Sequence, residues 1–152
     1  EFVTRKISTH VAAIAKGHKG YLELGNLDAQ RDWGFAGDYV EGMHKMLQAP
    51  QPDTYVLASG KTTSVRDFVK LCFAAAGIDI YFDGHGLDEI GVNLQTGETV
   101  VTVNDRFYRP AEVELLLGDA SKAKNDLGWI PRMGVDELAE QMVTADLTRI
   151  HV

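Results

Sequence analysis

The sequence predicts an α/β fold on three grounds. Strand-like and helix-like segments alternate along the chain, the helix-like segments carry apolar residues at helical spacing, and no linker, repeat or low-complexity tract divides them. With 152 residues, 45% hydrophobic and 24% charged, the chain can bury a sizeable core. FVTRKISTHVAAIAKG reads as the first helix, with Val3, Ile7, Val11 and Ile14 on one side and Gly17 near its end. GYLELGN alternates like a strand. In RDWGFAGDYVEGM and the residues after it, Val40, Met43, Met46 and Leu47 recur at helical spacing and predict a second helix with that face in the core.

PQPD then reads as a turn and TYVLASG as a short buried strand. TTSVRDFVKLCFAAAG opens with a capping box, Ser64 followed by Asp67, sets Val65, Phe68, Val69, Cys72 and Ala76 on one face, and closes at Gly77. IDIYFDG is a further strand, GHGLDEIGVN a polar loop, and LQTGETVVTVN a hairpin around Thr96-Gly97. After RFYRPAEVELLLGD comes the short helix ASKAKNDLG, closed by Gly128 and Pro131. The last segment, VDELAEQMVTADLTRI, is amphipathic through Val135, Leu138, Met142 and Ala145. A helical pattern that starts at residue 2 without a preceding cap suggests the latter part of a longer polypeptide.

Composition excludes several functions. A net charge of −7 repels nucleic acid and anionic membranes, so an anionic ligand would need local arginines. No run approaches the roughly 18 apolar residues of a membrane span, and EFVTRKISTH lacks a signal-peptide core, so a cytoplasmic protein is expected. The single cysteine, Cys72, permits no internal disulfide and reads as a core filler. His10, His18, His44, His85 and His151 are scattered without metal-ligand spacing. The glycine pair in GHG at 84–86 lacks the strand-to-helix context of a phosphate loop. Ser59 and Ser64 have no base at readable spacing, so no catalytic constellation is visible.

Arginines carry the remaining signal. Arg31 lies between a strand-like segment and a helix, where its planar fork and free helix amides could face a diphosphate; a surface pair with Asp32 or Asp38 is the other reading. Arg109, in Phe107-Tyr108-Arg109-Pro110, joins two aromatics to a charge just before Glu112, and packing of the cation on Tyr108 explains it equally well. Lys6 falls on the polar side of the first helix and reads as a solvated lysine.

RDWGFAGDYVEGM, YVLASG with TSVRDFV, FYRPAEVELLLGD and DASKAKNDLGWIP, in this order, resemble the C-terminal half of the extended short-chain dehydrogenase/reductase superfamily. FVTRKI, GNLDAQRDWG and YRPAEV are most similar to its GDP-mannose 4,6-dehydratase family. The resemblance implies an NADP-dependent lyase converting GDP-mannose to GDP-4-keto-6-deoxymannose: hydride leaves sugar C4 for the cofactor, water leaves across C5 and C6, and the hydride returns to C6. By matching positions it implies that Val3, Lys6, Arg31, Arg109 and Glu112 contact the GDP part of the substrate. It also implies a parent with a Rossmann-like dinucleotide-binding domain and a smaller substrate domain, acting as a homo-oligomer.

Residues 1–152 would form the substrate-binding C-terminal portion, interleaved with the last Rossmann-like elements such as TYVLASG. The N-terminal cofactor half, with its glycine-rich loop, catalytic Thr and Glu, and Tyr-x-x-x-Lys pair, is not in this sequence: Tyr21, Tyr39, Tyr55, Tyr81 and Tyr108 are followed at that spacing by Gly25, Met43, Ser59, His85 and Glu112. The chain by itself is therefore expected to be inactive and to expose an apolar surface. His44 stands where the family usually has a bulkier apolar or aromatic residue, which points to altered local packing or an altered interface there. Another nucleotide-sugar epimerase or reductase, or a non-catalytic nucleotide-binding module, are the competing readings.

Overall fold

In the computed structural model, which describes residues 2–108 and 115–150, helix α1 (Val3–Ala15) buries Ile7 and Val11 completely, with Val3 and Ile14 half-buried at its ends. Its apolar stripe is the one the spacing predicts. The chain then forms β1 (Leu22–Leu24) and β2 (Gln30–Arg31), α2 (Ala36–Leu47), β3 (Thr63–Ser64) and α3 (Val65–Ala75). Next come β4 (Ile80–Asp83), β5 (Ile90–Asn93), β6 (Thr99–Val103), β7 (Leu115–Leu116), α4 (Ser121–Leu127) and α5 (Val135–Arg149). Single 3₁₀ turns at Gly86–Asp88 and Asp105–Phe107 complete the described elements.

Two sheets result. The larger has the order β1-β6-β5-β4, with β1 parallel to β6 and the other pairings antiparallel. The smaller has the order β3-β2-β7, with β2 antiparallel to β3 and parallel to β7. Helices α1, α3 and α5 pack together, and a single apolar cluster joins them to β1 and β6 through Ile7, Leu22, Phe68, Phe73, Val101 and Val143. Each such side chain contributes roughly 1.5–3 kcal/mol on burial. Leu27 and Ala29 ahead of β2 and Val65 after β3 belong to the same cluster.

The predicted caps form. The Ser64 hydroxyl accepts from the Asp67 amide at 3.0 Å and donates to its carboxylate at 2.7 Å, and α3 follows with Val65, Phe68, Val69 and Cys72 buried. Helix α4 ends at Gly128 in the left-handed region, φ 61°.

Other expectations are corrected. TYVLASG joins no described ladder, and within it Ala58 is buried while Val56 is 51% exposed; an extended segment becomes a buried strand only with strands beside it. GHGLDEIGVN is not all loop, because Ile90–Asn93 is an inner strand. Gly91 hides the alternation there, and a Cβ on it would lie 2.9 Å from the Cβ of Val101. The hairpin arms are consequently Ile90–Asn93 and Thr99–Val103, with Thr96-Gly97 in the turn.

In α2 the apolar face is the exposed one. Val40 is 62%, Met43 57% and Leu47 81% exposed, while Asp38 and Gly42 face inward, a pairing that counting apolar residues cannot find. In α5 Leu138 is buried as predicted, and the stripe continues through Ala139, Val143 and Asp146.

Cys72 is fully buried, and burial pushes its thiol up to about 12. A thiol pKa raised on folding contributes stability at and below its unfolded value, and that contribution is lost as pH climbs from about 9 toward 12. The folded chain should therefore leave a thiol reagent unreacted near neutral pH and release one equivalent in denaturant. Prompt labelling of the folded protein would contradict this burial.

Candidate functional site

Arg31 is placed by strand pairing. It lies opposite Thr63 on one side and Leu116 on the other, in the central strand of the smaller sheet. It is not at the mouth of the helix, as its spacing suggested: α2 starts at Ala36, with Phe35 as its N-cap. Arg31 is half-buried, and its guanidinium donates to the Gln30 carbonyl at 2.8 Å. The loop ahead of β2 is fastened to α3, since the Val65 amide donates to Ala29 O and the Arg66 amide to Leu27 O. The Arg66 side chain adds paired bonds to Glu89, at 2.6 and 2.8 Å, and one to Asp28 at 2.5 Å. Those contacts, Glu89 foremost, hold Arg66 even further above neutral titration.

The two acids considered as partners of Arg31 both organise backbone. Asp32 accepts from the amides of Ser59 and Gly60, each at 2.9 Å, and of Gly118 at 3.4 Å. Asp38, 6% exposed, accepts from the amides of Arg132 and Met133 at 2.9 and 3.1 Å, while its carbonyl accepts from the Trp129 indole at 2.7 Å. Tyr39, beside both acids, has its phenol pKa raised, first by burial and then by their charges.

Val3 and Lys6 share α1. Val3 packs against the core, and the Lys6 ammonium sits over the Phe107 ring, 3.6 Å from its centroid, so the lysine is more engaged than a solvated one. Phe107 belongs to a turn seated on β1. The Asn104 amide donates to Leu24 O at 2.8 Å, and its side chain bonds Glu23 at 2.7 Å and receives the Arg106 amide. Gly25 lets the backbones touch there, because a Cβ on it would lie 2.1 Å from the Phe107 carbonyl oxygen.

Arg109 and Glu112 lie outside the described residues. The chain on either side of them is described: Phe107 stands beside Lys6, and β7 pairs with the strand that carries Arg31.

A cavity of about 410 Å³ opens elsewhere, between the start of α1, residues 33–36 and α5, with Trp33, Phe35, Leu138 and Met142 in its wall. Its Arg5 and Arg149 both approach the Asp146 carboxylate, which is 1% exposed and also accepts from Ser8 at 2.8 Å. Neither Lys6 nor Arg31 lines it. Sequence reading named Asp32 and Asp38 only as surface partners of Arg31 and did not single out Asp146, so the role of all three in holding distant parts of the chain was missed. An aspartate that bonds distant backbone looks, in sequence, like one facing water; a buried aspartate in an apolar stripe, as at position 146, is the only available signal.

Among the described residues no cluster of His, Cys, Asp and Glu could hold a metal ion, and no helix is long and apolar enough to cross a membrane. The GHG glycines lead into a 3₁₀ turn, and a Cβ on Gly84 would meet the Asp88 carbonyl at 2.7 Å, so the loop is closed on itself. That loop therefore offers no cradle for a dinucleotide phosphate.

Comparison with known proteins gives a consistent family. A family model for GDP-mannose 4,6 dehydratase matches residues 1–142. The GDP-mannose 4,6-dehydratase of Sinorhizobium fredii is 52% identical over 147 residues, covering 97% of this chain and 42% of that protein. The human GDP-mannose 4,6 dehydratase is 49% identical over 146 residues, covering 96% and 39%. This chain thus spans about two fifths of the length of the curated relatives it matches. The solved structure of RMD from Pseudomonas aeruginosa complexed with NADPH superposes with a TM-score of 0.78 over 98% of this chain and 43% of that one. At 18% identity that likeness speaks for the fold.

Proposed function

The chain belongs to the GDP-mannose 4,6-dehydratase family, and we propose on that premise that it supplies the nucleotide-sugar-binding part of an enzyme that converts GDP-mannose to GDP-4-keto-6-deoxymannose. NADP would carry the hydride in the whole enzyme and would be held mainly by the N-terminal half of the parent protein. The chain by itself would bind at most part of the substrate and would not turn it over. In this reading residues 1–152 are the substrate-binding portion, interleaved with the last Rossmann-like elements. The exposed face of α2 and the unpaired 54–58 segment would rest on the rest of that sheet. The whole enzyme would be a cytoplasmic homo-oligomer.

Family membership at about half identity, over almost the whole chain, is the observation that carries the reading. Geometry supports it where the candidate residues are described. Arg31 is held by two strand partners and is half-buried, which suits bidentate binding of a diphosphate by its guanidinium. Lys6 over Phe107 brings a second cation to the segment that leads into Arg109. Glu112 would accept from ribose hydroxyls or the guanine edge, with Val3 beside the base.

Calorimetric titration of the chain with GDP, GDP-mannose and UDP-glucose tests this. Guanine-selective binding is expected, weakened about ten- to a hundredfold by Arg31→Ala and by Arg109→Ala, the cost of a lost charge-assisted contact. Preference for the uridine nucleotide would instead favour an epimerase of the same superfamily. A folded chain that binds neither would defeat the assignment of the site.

A further inference from the structure

Asp32 has a role that nothing above assigns to it. Its carboxylate joins three separate stretches of chain: Oδ1 accepts from the Ser59 amide, while Oδ2 accepts from those of Gly60 and Gly118. The first stretch carries Arg31, the second is the loop ending 54–60, and the third follows β7, the strand entered from residues 109–114. We infer that Asp32 is a positioning residue, tying the strand that carries Arg31 to the 59–60 and 118 stretches so that Arg31 is held in one fixed arrangement for the nucleotide. This rests on the nucleotide-sugar reading above.

The chemistry calls for a carboxylate. Two oxygens with about four lone-pair sites can accept three amides, whereas an asparagine presents one oxygen and turns an NH₂ toward the donors. Charge-assisted bonds are also shorter and about twice as strong as neutral ones. Close approach of the stretches makes a single carboxylate sufficient. A Cβ on Gly118 would lie 2.3 Å from that of Ala58, so the backbone at 118 reaches Asp32 because no side chain intervenes.

Successive side chains of an extended strand point to opposite faces. Anchoring Asp32 on one face therefore leaves Arg31, its neighbour, on the other and limits how β2 can twist. The pairing of Gln30 with Leu115 and of Arg31 with Leu116 acts on the same two stretches, so ladder and carboxylate set one register together.

The test combines amide hydrogen exchange with a double-mutant cycle on the 152-residue chain, using GDP as the probe. Asp32→Asn should speed exchange at Ser59, Gly60 and Gly118 while the α3 amides stay protected. It should also weaken GDP binding by about tenfold. If Asp32 acts through Arg31, the Arg31→Ala/Asp32→Asn pair binds GDP no more weakly than Arg31→Ala alone. Gly118→Ala, which displaces the third stretch and leaves the carboxylate in place, should show the same coupling and serves if Asp32→Asn does not fold.

Faster exchange with unchanged GDP affinity would reduce Asp32 to a stabilising contact and overturn the proposal. So would a double variant whose losses multiply, or unchanged exchange at the three amides. Failure of the unsubstituted chain to bind GDP defeats the nucleotide reading and the positioning role with it, whereas lost coupling in a chain that binds GDP defeats the positioning role only.

Discussion

Trp129→Ala should lower the free energy of unfolding by about 3–5 kcal/mol, measured by urea denaturation. Trp129 is 1% exposed, its indole donates to Asp38 O at 2.7 Å, and the Tyr39 ring is stacked on it at 6.1 Å. Gly42 makes room for it: a Cβ there would come within 3.0 Å of the indole nitrogen. Truncation leaves a cavity where α2 meets the end of α4, together with a carbonyl that has lost its donor. Trp129→Phe, which keeps most of the volume and loses the hydrogen bond, should cost about 1–2 kcal/mol. Equal costs for the two variants would show that packing at this junction contributes little.

Asp146→Ala should destabilise by about 2–3 kcal/mol. Breaking a fully buried ion pair costs about 3–5 kcal/mol, and the figure is reduced here because the Arg5 side chain is 41% exposed. Asp146 on α5 receives Arg5 and Ser8 of α1, so its loss takes this acceptor from the guanidinium and leaves the buried hydroxyl only the longer bond to the Arg5 carbonyl, at 3.3 Å. Asp146→Asn retains an oxygen for Ser8 and should recover part of the loss. Because Arg5 adjoins Lys6, the same variant should loosen Lys6 over Phe107 and weaken GDP binding in the titration described above. Loss of stability with unchanged affinity would separate the α1–α5 lock from the site.

The core of α1 and α3 was legible because large apolar residues at helical spacing have one low-energy fate in water. Ile7, Val11, Phe68 and Val69 are buried where spacing put them, and Ser64 caps where its pattern said. The face of α2 was misread for the same physical reason. Periodicity reports that a face is apolar, and what covers it is a separate matter: Val40, Met43 and Leu47 stand exposed in this chain. Strand Ile90–Asn93 was missed because a four-residue strand with a central glycine carries too little alternation to register.

Local sequence by itself determined the helices, their caps, the hairpin turn and the family, since these depend on side chains close together in the chain or on wording in order. The tertiary structure decided where Arg31 sits and what Asp32, Asp38 and Asp146 do. Apart from Arg149, three residues from Asp146, their partners lie 27–86, 91–95 and 138–141 residues away along the chain. A hydrogen bond has no periodicity to announce it; it exists only once folding brings donor and acceptor within about 3 Å.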